Sequence, residues 1–158
     1  MALIYIPVVG IPAPQGSKRH VGNGVMIESS KRVKPWRQDV REAALKFYHG
    51  PIIEDAVDIT IIFIFPRPKS HYGTGKNAHR LKPSAPKYVT SVRNGDLEKL
   101  ERSTYDGLSQ KAGGTVLQDD SLVAKNSNEK RYCKRGEHPG AYIYIKKLKN
   151  VQQHLKVV

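Results

Sequence analysis

Gly95-Asp96-Leu97-Glu98-Lys99-Leu100-Glu101-Arg102-Ser103-Thr104-Tyr105-Asp106-Gly107-Leu108, with Asp119-Asp120 a short way downstream, is the stretch on which the reading of this chain turns. Leu97, Leu100, Thr104 and Leu108 recur at helical spacing, so residues 96–108 are expected to form an amphipathic helix with Asp96 as its N-cap. Glu98, Arg102 and Asp106 fall at i, i+4 and i+8 on a second face, and Glu98–Arg102 has the spacing of an ordinary surface pair. Gly107 and Gly113-Gly114 mark the end of the helix. Thr115–Leu117 and the residues from Ser121 onward read as strands flanking Asp119-Asp120, which by itself also suits a plain hairpin turn.

Working outward, Ala141-Tyr142-Ile143-Tyr144-Ile145 alternates as a last strand, and the tail from about residue 147 is weakly patterned. Upstream, Val57-Asp58-Ile59-Thr60-Ile61-Ile62-Phe63-Ile64-Phe65 is rich in β-branched and aromatic residues and reads as a central strand covered on both faces. Pro35 suits the first position of a helix, from which Trp36, Val40, Ala43, Ala44 and Phe47 follow at helical spacing. Gly50-Pro51 closes it. Residues 3–9 read as a first strand placed at a sheet edge by Pro7, and Val21–Ile27 as a short hairpin around Gly22-Asn23-Gly24. The sum is an α/β (α+β) chain, one domain over residues 1–158, with a mixed sheet packed by helices.

Charge narrows the function. The chain has 27 Lys and Arg against 14 Asp and Glu, a formal net charge of +13, and an isoelectric point near 9.9. That excess favours a polyanion, above all nucleic acid, through phosphate neutralisation and counterion release. Residues 66–95 contain no acid and carry Arg67, Lys69, Lys76, Arg80, Lys82, Lys87 and Arg93 among several Pro and Gly. They read as a long loop acting as a DNA-contacting arm. The cations expected to touch DNA are Lys18, Arg19, Arg67, Lys69, Lys76, Arg93, Lys99 and Lys130. No apolar run is long enough to span a bilayer, the N-terminus lacks the features of a signal peptide, and Cys133 is alone, so a reducing cytoplasm (a host's, for a phage-encoded protein) is the expected setting.

A basic protein that concentrates several of its few carboxylates in one window has the composition of a metal-dependent nuclease. Phosphodiester hydrolysis needs an activated water and a stabilised leaving oxyanion, which two Mg²⁺ or Mn²⁺ ions about 4 Å apart can supply. Such hard cations take oxygen ligands. Asp96 and Glu98 from the helix start, with Asp119 and Asp120 from the later segment, are the candidate metal ligands, and Lys99 or Arg102 the candidate partner of the phosphate. His71 and His79, with the distant Cys133, give no zinc spacing. Gly73-Thr74-Gly75-Lys76-Asn77 lacks the first Gly and the Ser/Thr of a P-loop. No Ser or Cys has a convincing His and acid partner.

These residues resemble the RusA family of Holliday junction resolvases, the phage- and prophage-type endodeoxyribonucleases. The resemblance is carried by Gly10-Ile11-Pro12-Ala13-Pro14-Gln15-Gly16-Ser17-Lys18-Arg19, by Phe65-Pro66-Arg67-Pro68-Lys69-Ser70-His71, by the acidic helix, and by Asp119-Asp120-Ser121-Leu122-Val123 with Lys130 beyond. It implies a mixed α/β homodimer that makes paired, divalent-metal-dependent nicks in four-way junctions, in DNA recombination and repair. By position it makes Asp96, Glu98 and Asp120 the essential acids, Asp119 a close second, and Arg102 the counterpart of a functional Lys. The chain departs from the family pattern at Glu98, where Asp is usual, and at Lys99 and Arg102, where Asn and Lys are usual. It lacks a Pro before Asp96, and its loop before Asp119 is a few residues long. The competing readings are a non-catalytic basic DNA-binding protein, and a branched-DNA or flap endonuclease.

Overall fold

The computed structural model describes residues 2–16, 18–20, 22, 26–28 and 31–152, without the side chains of 18–20 and 26–28. A four-stranded sheet runs in the order β1 (Ile4–Val9), β6 (Gly140–Lys147), β4 (Val57–Phe65), β5 (Val123–Tyr132). β6 is antiparallel to both its neighbours, whereas β4 and β5 are parallel. A parallel pair cannot be closed by a hairpin, so the chain between β4 and β5 must cross over, and it carries a helix on the way. A separate ribbon, β2 (Lys18–His20) with β3 (Met26–Glu28), supplies the expected hairpin, though most of its loop lies outside the described residues.

Two helices pack on one face of the sheet: α1 (Val33–Phe47) and α2 (Leu97–Leu108). On α1 the buried side chains Val33, Trp36, Val40, Ala43 and Ala44 make a stripe of helical period. On α2 the buried stripe includes Leu100, Thr104 and Leu108. Both stripes meet Ile59, Ile61, Phe63 and Phe65 of β4 and Ile143 and Ile145 of β6 in one core. Trp36 is fully buried and donates its indole N–H to Thr104 Oγ1 at 3.1 Å, so its polar atom is satisfied inside that core. Gly107 sits where the helices cross: a Cβ there would meet Val40 Cγ1 at 2.7 Å. Among the described residues, no helix is long and apolar enough to cross a membrane.

Several sequence expectations need correction. α1 begins at Val33, which puts Pro35 at the third helical position, still within the first turn where a missing N–H costs nothing. Phe47 is 44% exposed and lies outside the buried stripe of α1. β4 is central by pairing, but on its second face Asp58, Thr60 and Ile62 stay half-exposed because no layer covers them. Thr115–Leu117 is no strand; Leu117 makes isolated bridges to Ile53 and Ser109. Residues 120–122 form a 3₁₀ turn, and the strand starts only at Val123. Gly107 lies within α2, which ends at Leu108. The basic loop is built rather than structureless: it contains three 3₁₀ turns, a Tyr72–Leu81 bridge and a Tyr88–Arg131 bridge to β5.

Candidate active site

α2 lies antiparallel along β5, and this pairing creates two acidic ends joined by a polar ladder. At the first end Asp96 occupies the N-cap position, with its carbonyl accepting the Leu100 N–H at 3.2 Å. Its side chain makes no capping bond, so the carboxylate of this exposed residue is left for another use. Gly95 sets its direction. It sits at φ +85°, and a Cβ there would strike Pro14 at 2.4 Å, so glycine is required by both backbone and space. Lys130 of β5 donates from Nζ to the Gly95 carbonyl at 2.8 Å. The Pro-rich segment is tied to the same turn by Gln15 N–H to the Lys99 carbonyl at 2.9 Å and by Ser103 Oγ to the Ala13 carbonyl at 2.6 Å. The result is a cleft of about 360 Å³ lined by Gln15, Ser91, Asp96, Lys99 and Lys130 among others. Glu98 follows, exposed, in the first turn.

At the other end Asp119 caps its 3₁₀ turn by accepting the Ser121 N–H at 2.9 Å. That bond, with the one it shares with Asp120, lowers its carboxyl below the usual range. Asp120 goes the other way. The hydrogen bond to Asp119, partial burial, and the negative charges of Asp119 and Asp106 all raise it. The two aspartates therefore compete for negative charge, and the proton is favoured on Asp120. The counter-charges are Lys111, 3.7 Å from Asp119, and Arg37, 3.2 Å from Asp106. Arg37 also bonds Gln15, linking the Pro-rich segment to this end.

Between the ends, Asn128 Nδ2 donates to Glu101 Oε1 at 2.8 Å, and Asn126 Nδ2 donates to the Tyr105 hydroxyl at 3.1 Å. Asn128 Oδ1 also accepts the Ile61 N–H at 2.8 Å, bracing β4. Burial raises the Tyr105 hydroxyl, and the charges of Glu101 and Asp120 add to it against the two asparagines.

The structure thus brings Asp119 and Asp120 together with Asp106, and places Asp96 in one cleft with Lys99 and Lys130, with Glu98 exposed in the first turn of α2. Asp106 lies ten positions beyond Asp96 along α2, a rise of about 15 Å. Among the described residues, no group of three or more His, Cys, Asp or Glu is assembled that could hold a metal ion. The donor chemistry nevertheless fits a hard divalent cation, for two reasons. The ligating atoms available are carboxylate oxygens, and the crowded Asp119–Asp120–Asp106 charges are what such a cation would relieve.

The other candidates divide. Arg102, Lys69, Lys76 and Arg93 are exposed and free to face a polyanion. The Glu98–Arg102 pair does not form. Arg67 is a strut: it donates to the Pro86 carbonyl at 2.7 Å and to the Cys133 carbonyl at 3.4 Å, and stacks over Tyr132. The side chains of Lys18 and Arg19 lie outside the described residues. Sequence reading missed Arg37, Glu101, Tyr105, Asp106, Asn126 and Asn128 as parts of the site. The i, i+4 spacing of Glu101 and Tyr105 and the alternation of Asn126 and Asn128 were the available signals.

Compared with known proteins, the chain matches the profile of the family described as Endodeoxyribonuclease RusA over residues 7–146. No curated protein matches it.

Proposed function

This chain belongs to the RusA endodeoxyribonuclease family of Holliday junction resolvases, and we propose that it makes paired nicks in four-way DNA as a divalent-metal-dependent homodimer acting in recombination and repair, in the cytoplasm. What supports the metal reading is the grouping of Asp120 with Asp119 and Asp106 at one end of α2, where their negative charges raise the Asp120 carboxyl.

In this reading Asp96, Glu98, Asp119 and Asp120 are the metal ligands. A bound Mg²⁺ or Mn²⁺ would lower the pKa of a water and neutralise the leaving oxyanion. The chain's own cations do the rest. Lys99 flanks Asp96 in the cleft, and Arg102 follows Glu98 by one turn on the same face, where a guanidinium can grip a phosphate bidentately. Lys69, Lys76 and Arg93 supply the long-range attraction that draws DNA to this face.

The division of the acids between two ends argues for the dimer. Among the described residues one chain assembles no group of three or more acids that could hold a metal ion, whereas two antiparallel copies can set the Asp96 end of one against the Asp120 end of the other.

The test is a synthetic four-way junction incubated with Mg²⁺ or Mn²⁺. Wild type should nick it symmetrically, and EDTA should stop it. Asp96→Asn and Asp120→Asn should each abolish cutting while leaving binding intact; undiminished cutting by both would refute the site. Mixing the two variants should restore cutting if each site draws on both copies, because one site of the mixed dimer is then wild type. No restoration would remove the composite arrangement.

A further inference from the structure

The basic loop and the β5–β6 turn line a second, half-open cavity, of about 890 Å³, that the nuclease reading does not use. Tyr72, Arg80 and Leu81 form its loop side; Cys133, Lys134 and Arg135 form its turn side. The loop side is held by the Tyr72–Leu81 bridge and by Gly73 N–H to the Arg80 carbonyl at 3.0 Å. Arg67 ties the two sides together through its bonds to Pro86 and Cys133. The cavity is therefore formed before any ligand arrives.

Its charge is one-sided. The acid at its edge, Glu137, has both oxygens engaged, by Arg131 at 2.6 and 2.9 Å, by the Lys134 N–H at 2.9 Å and by the Tyr142 hydroxyl at 2.8 Å. That acid is neutralised internally, which leaves Arg80, Lys134 and Arg135 to set the field. Tyr72 and Leu81 add a ring and an apolar surface to the cationic rim. A ring face beside cations suits a base joined to a phosphate, and the volume suits a nucleotide or two rather than a bare ion. A base still paired within a duplex keeps its faces stacked and cannot insert.

We propose that this cavity holds unpaired nucleotides of a single DNA strand. The source of that strand, the opened branch point of a junction, rests on the nuclease reading. Residues 87–89 run beside β5, with Val89 N–H on the Lys130 carbonyl and Tyr132 N–H on the Lys87 carbonyl. They link the cavity to the Asp96 cleft, since Lys130 also holds Gly95. Lys130 to Cys133 is about 10 Å of strand, a reach of one or two nucleotides. Occupation would favour branched DNA over intact duplex.

Cys133 is the one cysteine of the chain, half-buried in this wall, and reports directly on occupancy. In EDTA, its alkylation by iodoacetamide should slow at least fivefold with a ten-nucleotide oligo(dT). A blunt duplex, dTMP and inorganic phosphate at equal phosphate concentration should change it less than twofold. Tyr72→Ala combined with Arg80→Ala should lose the protection, and Asp96→Asn should keep it. An unchanged rate with oligo(dT) overturns the proposal, as does retained protection in the double variant. Equal protection by duplex would make this a general DNA face, and equal protection by dTMP or phosphate a site for free phosphate esters; either also overturns it. Because the readout needs neither metal nor cutting, protection without nicking would sink the nuclease reading alone, and nicking without protection would sink this one alone.

Discussion

Lys130 Nζ reaches 2.8 Å to the carbonyl of Gly95, the residue whose left-handed φ aims Asp96 into its cleft. A cation expected from sequence to touch DNA is thus spent, at least in part, on holding a catalytic candidate in place. The expected consequence is a variant that still binds and cuts poorly. Lys130→Met should reduce junction nicking about 10- to 100-fold, the cost of a misplaced reacting group, and stability by only about 1 kcal/mol. Nicking rates in Mg²⁺ and junction affinity in EDTA measure the two sides. A loss of affinity as large as the loss of rate would make Lys130 a DNA contact instead.

Asp120 is expected to trade stability for function. Its carboxyl is raised by its bond to Asp119, by burial and by neighbouring charge, so the folded state is penalised as pH rises through the folded pKa and is relieved below the unfolded one. At neutral pH, Asp120→Asn removes that repulsion and should raise Tm by about 1–3 °C, a small shift because the site is solvent-screened. Mg²⁺ should raise the Tm of wild type and not that of the variant. A variant that melts lower than wild type, or is stabilised equally by Mg²⁺, would contradict the crowded-carboxylate picture.

Glu137 runs in the opposite direction. The Arg131 guanidinium, with the Lys134 N–H and the Tyr142 hydroxyl, holds its carboxyl down at about 2, and the same contact pushes Tyr142 up to about 12. A depressed acid contributes stability that is complete above its unfolded pKa and lost as pH falls through the folded value. Glu137→Gln should therefore cost about 2–3 kcal/mol near neutrality, the scale of a buried charge-assisted contact. The gap to wild type should narrow as pH falls from about 4.5 toward 2. Urea melts at several pH values decide it; a gap that stays constant over that range would mean the contact is not ionic.

Gly107 should tolerate no side chain. An alanine Cβ would meet Val40 at 2.7–2.8 Å and the Arg37 carbonyl at 3.2 Å. Overpacking of this kind costs about 1–3 kcal/mol, more than the roughly 1 kcal/mol that alanine gains by helix propensity. Gly107→Ala should lower the urea midpoint, and adding Val40→Ala should give part of it back. Additive losses would place the strain elsewhere.

α1, α2 and β6 were legible in the sequence because each buries one face, and burial writes a period of 2 or 3.6 into the order of apolar residues; β4 was legible from its run of β-branched and aromatic residues, though not which of its faces is covered. The family motif was legible for a related reason: the acids of residues 96–108 and 119–120 sit at short, regular spacings along the chain. β5 was not fully legible, since Val123-Ala124-Lys125-Asn126-Ser127-Asn128-Glu129-Lys130 forms a half-solvated edge strand and carries little apolar pattern. Its role becomes visible only when α2 lies against it. That antiparallel packing sends Lys130 to Gly95, Asn126 and Asn128 to Tyr105 and Glu101, and Asp120 to Asp106. Arg67, through its bonds to Pro86 and Cys133, brings the cations of the basic loop and the β5–β6 turn around one cavity. Residue order thus determined which elements form and which chemistry they carry, because those depend on neighbours along the chain. Which acids and which cations meet was decided by the tertiary structure, because such contacts depend on how separate elements cross.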